Sequence, residues 1–314
     1  MESKLPQVGV VTVTYNSGQV LPDFLDSMAN QQDVDVRLYA IDNNSHDDSV
    51  AQLTAEARAD HLTIVANDDN LGVAVGNNQG IELALRDECD WVLLLNNDTV
   101  LPSDALSILV RDAEAHNLDI LAPLIEATDP PETIWYSDGH FVPSQGYRTF
   151  HDTTGHPISN FPTRLTKTGY ASTCCLLVRP KVFFSVGLMD PIYFVYFDDV
   201  DFAVRAVARG FQYWVTPNTR IIHKASSLTG GKSSSFTVKW VSRNWALIAR
   251  RHLGRARGAY ALGFIQAWML ARLLVRKDSM ATYSLRQKSF RDGYRAALAP
   301  PPPRAPTEGL IENV

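Results

Sequence analysis

WVLLLNNDT, residues 91–99, is the stretch on which the reading of the fold turns. Five apolar residues, enough for a strand buried on both faces, run straight into two amides and a carboxylate, Asn96, Asn97 and Asp98. A buried strand that stops in polar groups must satisfy them with turn backbone, water, a ligand or a metal. Three similar runs precede it: VGVVTVTY (8–15), VRLYAID (36–42) and LTIVAN (62–67). Between them VLPDFLDSMANQQ, DDSVAQLTAEARAD and VAVGNNQGIELALRD carry apolar residues three and four apart, the spacing of amphipathic helices. Strand and helix in alternation predict an α/β fold with a Rossmann-like, mostly parallel sheet flanked by helices.

Ligands of such open sheets sit beyond the carboxyl ends of the strands. Those ends read Tyr15-Asn16, Asp42-Asn43-Asn44, Asn67-Asp68-Asp69-Asn70 and Asn96-Asn97-Asp98. Turn and cap chemistry accounts for any one such cluster; four in succession on one edge point to a site. No GxGxxG follows the first strand and no GxxxxGK[ST] occurs, so a nucleotide bound here needs another way to neutralise its phosphates. A divalent cation held by oxygen ligands such as Asp98 would supply it.

With 314 residues, 45% apolar and 20% charged, the chain has the composition of a globular protein able to bury a full core. Its cysteines are Cys89, Cys174 and Cys175; a bridge between the adjacent pair would be strained, which favours a reducing cytosol. The first residues show no charged-then-apolar leader, so no secretion signal is expected. The net charge of −5 conceals an asymmetry: residues 1–231 hold 14 Lys/Arg against 30 Asp/Glu, a net of −16, while 232–295 hold 14 against two, a net of +12. The basic segment lacks any zinc-finger, RNA-binding or recognition-helix signature, so no nucleic-acid partner is expected. An anionic membrane surface or a phosphate-bearing substrate fits it at least as well.

Residues 128–168 are rich in Pro, Gly, His and Thr, without a period, and read as a specificity insert or a long loop. Beyond them ASTCCLLV (171–178) reads as regular structure, Pro180 to Val186 as a short helix, Asp199 to Arg209 as a helix stopped by Gly210, and FQYWVT and TRIIH as two short strands. SSLTGGKSSSF (226–236) is expected to be mobile, 237–298 helical, and the tail APPPPRAPTEGLIENV disordered. YALGFIQAWMLARLLV (260–275) falls short of the roughly 20 apolar residues of a membrane span and reads as a buried or interfacial helix. FDDVDF places Asp198, Asp199 and Asp201 at a helix start after an aromatic run, more carboxylates than a cap requires. A carboxylate so placed can act as a general base. His223 ends a strand, and its imidazole is either structural or a metal ligand.

In order, VTVTYNSG, IDNNSHDDS, NLGVAVGNNQG, LLLNNDTVL, CCLLVRPKVFFSVGLMD, YFDDVDFAVRAVARGF and IIHKAS resemble the family 2 glycosyltransferases of the GT-A fold, over residues 6–250. Within them the chain is most similar to the bacterial rhamnosyltransferase-like branch that builds surface polysaccharides. The resemblance implies that Thr14, Tyr15, Asn16 and Asp42 hold the nucleotide base and ribose, and that Asn70, Leu71, Gly72, Asn77 and Asn78 lie near the donor. It aligns Asn96-Asn97-Asp98 with the DxD motif, with Asn at the first position, and gives Asp98 to Mg2+ or Mn2+ on the donor diphosphate with His223 completing the metal shell. Asp198-Asp199 aligns with a Glu-Asp pair whose second member is the base. The implied domains are 1–231, catalytic; 232–298, a basic C-terminal helical extension; and 299–314, a Pro-rich tail.

The implied activity is inverting, metal-dependent transfer from a nucleotide-sugar donor, dTDP-rhamnose or a UDP-hexose, to a saccharide or polyprenyl-linked acceptor. The setting is cytoplasmic, at the inner face of the plasma membrane, with peripheral membrane contact through the basic helices; the apolar helix is open to packing within the chain or in a homo-oligomer. The alternative is a catalytically weak nucleotide-sugar-binding or scaffold protein, favoured by Asn96. A sugar-phosphate nucleotidyltransferase would need a Gly-rich basic loop that VTVTYNSG does not offer.

Overall fold

A computed structural model describes residues 4–56, 61–224 and 234–298. The segment 226–233, the boundary at 231/232, the end of the second helical pattern at 57–60 and the tail 299–314 lie outside the described residues. The first half runs β1 (Gln7–Thr14), α1 (Leu21–Ala29), β2 (Asp35–Asp42), α2 (Ser49–Glu56), β3 (Leu62–Ala66), α3 (Val73–Arg86) and β4 (Trp91–Leu95), each where the apolar periodicity places it. β5 (Thr99–Val100), α4 (Ala105–Ala115) and β6 (Ile120–Ala127) follow.

The stretch without a period is not a bare loop. It holds β7 (Thr133–Tyr136), β8 (His140–Val142), β9 (Arg148–Phe150) and β10 (Thr166–Thr168), each too short to show alternation, with β8 and β9 paired as a separate antiparallel ribbon. Next come β11 (Cys175–Val178), α5 (Pro180–Val186), α6 (Asp198–Ala208) and β12 (Tyr213–His223). The two strands expected in this last region are one. Pro217 has no N–H to give the ladder, so pairing with β6 shifts register between Thr216 and Arg220 while the backbone stays extended.

The main sheet has the order β10-β12-β6-β11-β4-β1-β2-β3, with β5 on β12 and β7 on β6. β3, β2, β1 and β4 are parallel, as are β6 and β12; β11 lies antiparallel between β4 and β6. Leu93, Leu94 and Leu95 are buried among Val8, Val10 and Val11 of β1 and Leu176 and Leu177 of β11. Each such side chain contributes about 1.5–3 kcal/mol by leaving water. Parallel pairing brings Thr14, Asp42 and Ala66 into line, so the carboxyl ends of β1, β2 and β3 share one edge.

The C-terminal extension is α7 (Ser235–His252), α8 (Arg255–Leu274) and α9 (Met280–Ala296). α7 and α9 approach so closely that a Cβ on Gly293 would stand 1.8 Å from the carbonyl oxygen of Arg243, which only glycine avoids. Leu247 and Ile248 of α7 enter the sheet's core, while Trp245, Ala261, Ile265, Met269 and Phe290 form a second apolar cluster.

Candidate active site

Asp42 is buried at the end of β2 and accepts bonds from Thr14 Oγ1 at 2.8 Å, Ser45 Oγ at 2.5 Å and Ser45 N at 2.9 Å. Asn16, in the left-handed region at φ 51°, accepts from His46 N. Thr14, Asn16 and Asp42 thus form one cradle between the β1 and β2 loops, with Tyr15 exposed at its rim. Asn43 and Asn67, named in the strand-end clusters but given no role there, extend it through an amide chain: Asn67 Nδ2 donates to Asn43 Oδ1 and to Gln79 Oε1, both at 3.0 Å.

Gly72 caps α3 with φ 85°, and Phe194 O accepts from Val73 N at 2.7 Å. This contact ties the Asn70-Leu71-Gly72 segment to the aromatic run before Asp198. Asn70 Oδ1 accepts from Gly72 N in an Asx turn. Asn78 exchanges two bonds with the backbone of Met189, at 2.8 and 2.9 Å, and Asn77 contacts Met189 Sδ. Asn97 donates to Val13 O at 2.7 Å and Ser17 Oγ at 3.2 Å. Asn70, Asn78 and Asn97 therefore shape the loops with their own side chains, whereas Asn96 is exposed at the strand end.

Antiparallel pairing of β5 with β12 sets His223 opposite Thr99, and His223 Nε2 stands 3.1 Å from Asp98 Oδ1. Both side chains are buried, and the Trp135 ring lies edge-on to the imidazole at 4.2 Å. Two ligands in adjacent positions of an octahedral ion with bonds of about 2.1 Å are separated by about 3 Å. One carboxylate oxygen and one imidazole nitrogen at this spacing fit Mg2+ or Mn2+, if the remaining positions come from outside the chain. Among the described residues no group of three or more His, Cys, Asp or Glu side chains converges to hold a metal alone. Burial and the nearby Asp98 charge push the pKa of the Cys174 thiol well up.

The three aspartates of α6 have separate fates. Asp201 is buried; His252 Nε2 of α7 lies 2.6 Å from its Oδ1, and Arg205 Nε donates to its Oδ2 at 2.7 Å. Arg205 also donates to Val186 O and Leu188 O. Burial alone would raise the pKa of Asp201, but His252 and Arg205 outweigh it and hold it below the ordinary carboxylate value. Asp201→Ala leaves Arg205 without its partner, and is expected to cost about 3–5 kcal/mol in urea unfolding at neutral pH. Asp201's contribution is present above the unfolded pKa and is lost as the pH falls through the lowered one.

Asp198 is buried and Asp199 half-buried. Burial raises both pKa values, and the neighbouring charge of Asp199 adds to the rise at Asp198. Asp199 is held on both oxygens, by Val200 N at 2.8 Å and by the hydroxyl of Tyr170. Tyr136 in turn donates to Tyr170 O at 2.7 Å, and the His151 ring lies 5.8 Å from that of Tyr170. Tyr170 has no local sequence pattern; only the fold brings it to Asp199.

The turn into α6 places Tyr196 at φ 65° and Phe197 at φ 67°, costing about 1–3 kcal/mol each. Asn244 of α7 offsets this by donating to Val195 O at 2.8 Å and Tyr196 O at 2.9 Å. The C-terminal extension thereby supports the turn that presents Asp199.

The carboxyl ends of the parallel strands thus gather a buried Asp-His pair at cation-ligand spacing, and α6 adds carboxylates whose pKa values burial raises. The chain belongs to glycosyl transferase family 2, whose family model matches residues 9–184, and it is a glycosyltransferase. It is 27% identical to N-acetylglucosaminyl-diphospho-decaprenol L-rhamnosyltransferase of Mycobacterium tuberculosis, over 90% of this chain and 95% of that protein. It is 22% identical to the low-salt glycan biosynthesis hexosyltransferase Agl10 of Haloferax volcanii, over 88% and 87% of the two chains. Solved structures with the same GT-A fold include GalNAc-T7 with UDP, GalNAc and Mn2+, at a TM-score of 0.64 and 15% identity; the match covers 94% of this chain and 57% of that one. Another is S. aureus TarS residues 1–349 with UDP, at a TM-score of 0.56 and 15% identity over 93% and 81% of the chains.

Proposed function

We propose that the chain is an inverting glycosyltransferase of surface-polysaccharide assembly, moving a sugar from a nucleotide-diphosphate donor to a hydroxyl of a saccharide or polyprenyl-linked acceptor. The observation that carries this reading is the approach of His223 Nε2 to Asp98 Oδ1 at the strand ends, at the separation of adjacent cation ligands. dTDP-rhamnose is the first donor to test, because the mycobacterial relative is named a rhamnosyltransferase with a diphospho-decaprenol acceptor. A UDP-hexose is the second, since GalNAc-T7 and TarS were solved with UDP.

In this reading Thr14, Tyr15, Asn16 and Asp42 receive the base and ribose, and Asn70, Gly72, Asn77, Asn78, Asn96 and Asn97 form or support the donor side. Asp98 and His223 would hold Mg2+ or Mn2+, which when bound offsets the charge of the donor diphosphate. Asp199 accepts the proton of the acceptor hydroxyl, whose oxygen bonds to the anomeric carbon as the bond from that carbon to the diphosphate oxygen breaks. The electron pair leaves with the nucleotide diphosphate, the configuration inverts, and no covalent sugar-enzyme intermediate forms. Burial raises the pKa of both Asp198 and Asp199, and the Asp199 charge adds to the rise at Asp198, so the pair resists carrying two negative charges at once. Residues 1–231 form the catalytic region and 232–298 a helical region whose Asn244 supports the turn before Asp198. The site works in the cytoplasm, at the inner face of the plasma membrane.

Because Asp199 must be ionised, activity rises with pH through its raised pKa. The Tyr170 bond opposes the effect of burial on Asp199. Tyr170→Phe is therefore expected to move the acidic limb of the kcat/KM profile to higher pH and leave the basic limb in place. An unmoved acidic limb removes Asp199 from the role of base.

Calorimetric titration with UDP, dTDP, GDP and CDP, each with Mn2+ and with EDTA, tests the proposal as a whole. Metal-dependent binding of one nucleotide, followed by turnover of its sugar conjugate, is the expected result. Binding without turnover on any acceptor favours the scaffold reading that Asn96 suggests. No binding to any of the four overturns the donor assignment.

A further inference from the structure

α8 has an outer face that no element among the described residues covers. Gly258, Ala261, Ile265 and Met269 are buried against the rest of the molecule. On the opposite side Ala256, Ala259, Tyr260, Gly263, Ala267, Leu270, Ala271 and Leu274 are all exposed, at steps of three and four residues. The exposure is large where the side chains are large: Tyr260 66%, Leu270 45% and Leu274 72%, followed by Val275 at 62% and Met280 at 66%. A helix of 20 residues is about 30 Å long, and from Gly258 to Ala271 it carries no charged residue. A soluble surface rarely exposes so continuous an apolar stripe without using it.

The ends of the stripe are cationic. Arg255 and Arg257 are exposed at one end, and Arg276 and Lys277 at the other. The acidic residue beside them, Asp278, is buried and bound by Arg272 at 2.8 and 3.0 Å and by Arg286 at 2.7 Å. Charge decides between occupants. A twofold contact between two copies would bring these cationic ends onto each other or onto themselves, and residues 255–277 contain no Asp or Glu to compensate. An anionic bilayer offers headgroup phosphates to the Arg and Lys residues and acyl chains to Tyr260, Leu270 and Leu274. No helix among the described residues is long and apolar enough to cross a membrane.

We infer that α8 lies flat in the surface of an anionic membrane, with Tyr260, Leu270 and Leu274 inserted and Arg255, Arg257, Arg276 and Lys277 at the headgroups. The inference deepens the proposed function, on which it rests for its purpose: a lipid-linked acceptor is presented at such a surface.

The test is flotation of the full chain with vesicles of equimolar phosphatidylcholine and phosphatidylglycerol, and with phosphatidylcholine alone. The chain is expected to float with the first and at least about tenfold less with the second. The double variant Leu270→Asp/Leu274→Asp, at exposed positions, is expected to lose vesicle binding at least about tenfold and to keep the wild-type circular dichroism and nucleotide affinity. Failure of the wild type to float with anionic vesicles, or equal flotation of the variant, overturns the inference. So does a wild-type dimer in sedimentation that the variant dissociates, which would give the face to a second copy. Nucleotide titration on the same samples separates the two ideas: retained nucleotide binding without flotation sinks the membrane face and leaves the transferase reading standing.

Discussion

Asp199→Asn is expected to lower kcat by about two to four orders of magnitude, the range for loss of a positioned general base. The substitution keeps the size of the side chain and an oxygen for Val200 N, which donates to Asp199 Oδ1 at 2.8 Å. What it removes is the capacity to take a proton. Nucleotide affinity should be unchanged, because Asp199 lies on α6 and not among the strand-end residues that receive the donor. Single-turnover transfer with the donor selected by titration measures the effect. Asp198→Asn is the control: Asp198 is buried with its pKa well above the ordinary value, so replacing it by a neutral isostere should change kcat far less. The opposite ranking of the two variants would transfer the role of base to Asp198.

The second large effect concerns Asp98. Asp98→Ala is expected to weaken metal-dependent nucleotide binding by about 2–5 kcal/mol, the cost of truncating one member of a buried charge pair, which is at least about thirtyfold in Kd. Binding measured in EDTA should be the same in variant and wild type, since the Thr14-Asp42-Ser45 cradle is not touched. His223→Ala should reproduce the loss in weaker form. Equal Mn2+ dependence in the wild type and Asp98→Ala would remove the cation from the end of β4.

The first half of the fold was legible because it is a clean case of two periods. β1 to β4 are apolar runs ended by Asn and Asp, and α1 to α3 carry three-and-four spacing. β6 was not read: ILAPLIEA is buried on both faces, so it has no alternation, and Pro123 sits inside it. The strands between 133 and 168 are three or four residues long, below the window in which any period can be counted. TRIIH and FQYWVT were read as two strands because Pro217 breaks the pattern, although the chain continues straight.

The candidate site divides in the same way. Residues that follow a strand directly, such as Asp42 and Asp98, could be found from their neighbours in sequence. The same signal could not separate Asn97, which bonds to Val13 O, from a ligand-facing amide, because loop-shaping and ligand binding call on the same residue type. Tyr170 and Asn244 carried no signal at all. Each meets α6 or its entry turn only after the chain has folded, and a tyrosine or asparagine on its own is not a pattern.

The position of β11 has a consequence for how the protein is made. Cys175–Val178 enters between β4 and β6, two strands synthesised well before it. Until it emerges, the edges of WVLLL and ILAPLIEA that will receive it are bare in a nascent chain, the kind of edge on which chains aggregate. The two halves of the sheet are joined late, by a strand with high sequence separation from its partner β4, a topology that folds slowly. Co-expression with chaperones that hold an unfinished sheet is therefore expected to raise the yield of soluble enzyme, and an unchanged yield would show that these edges are not exposed long enough to matter.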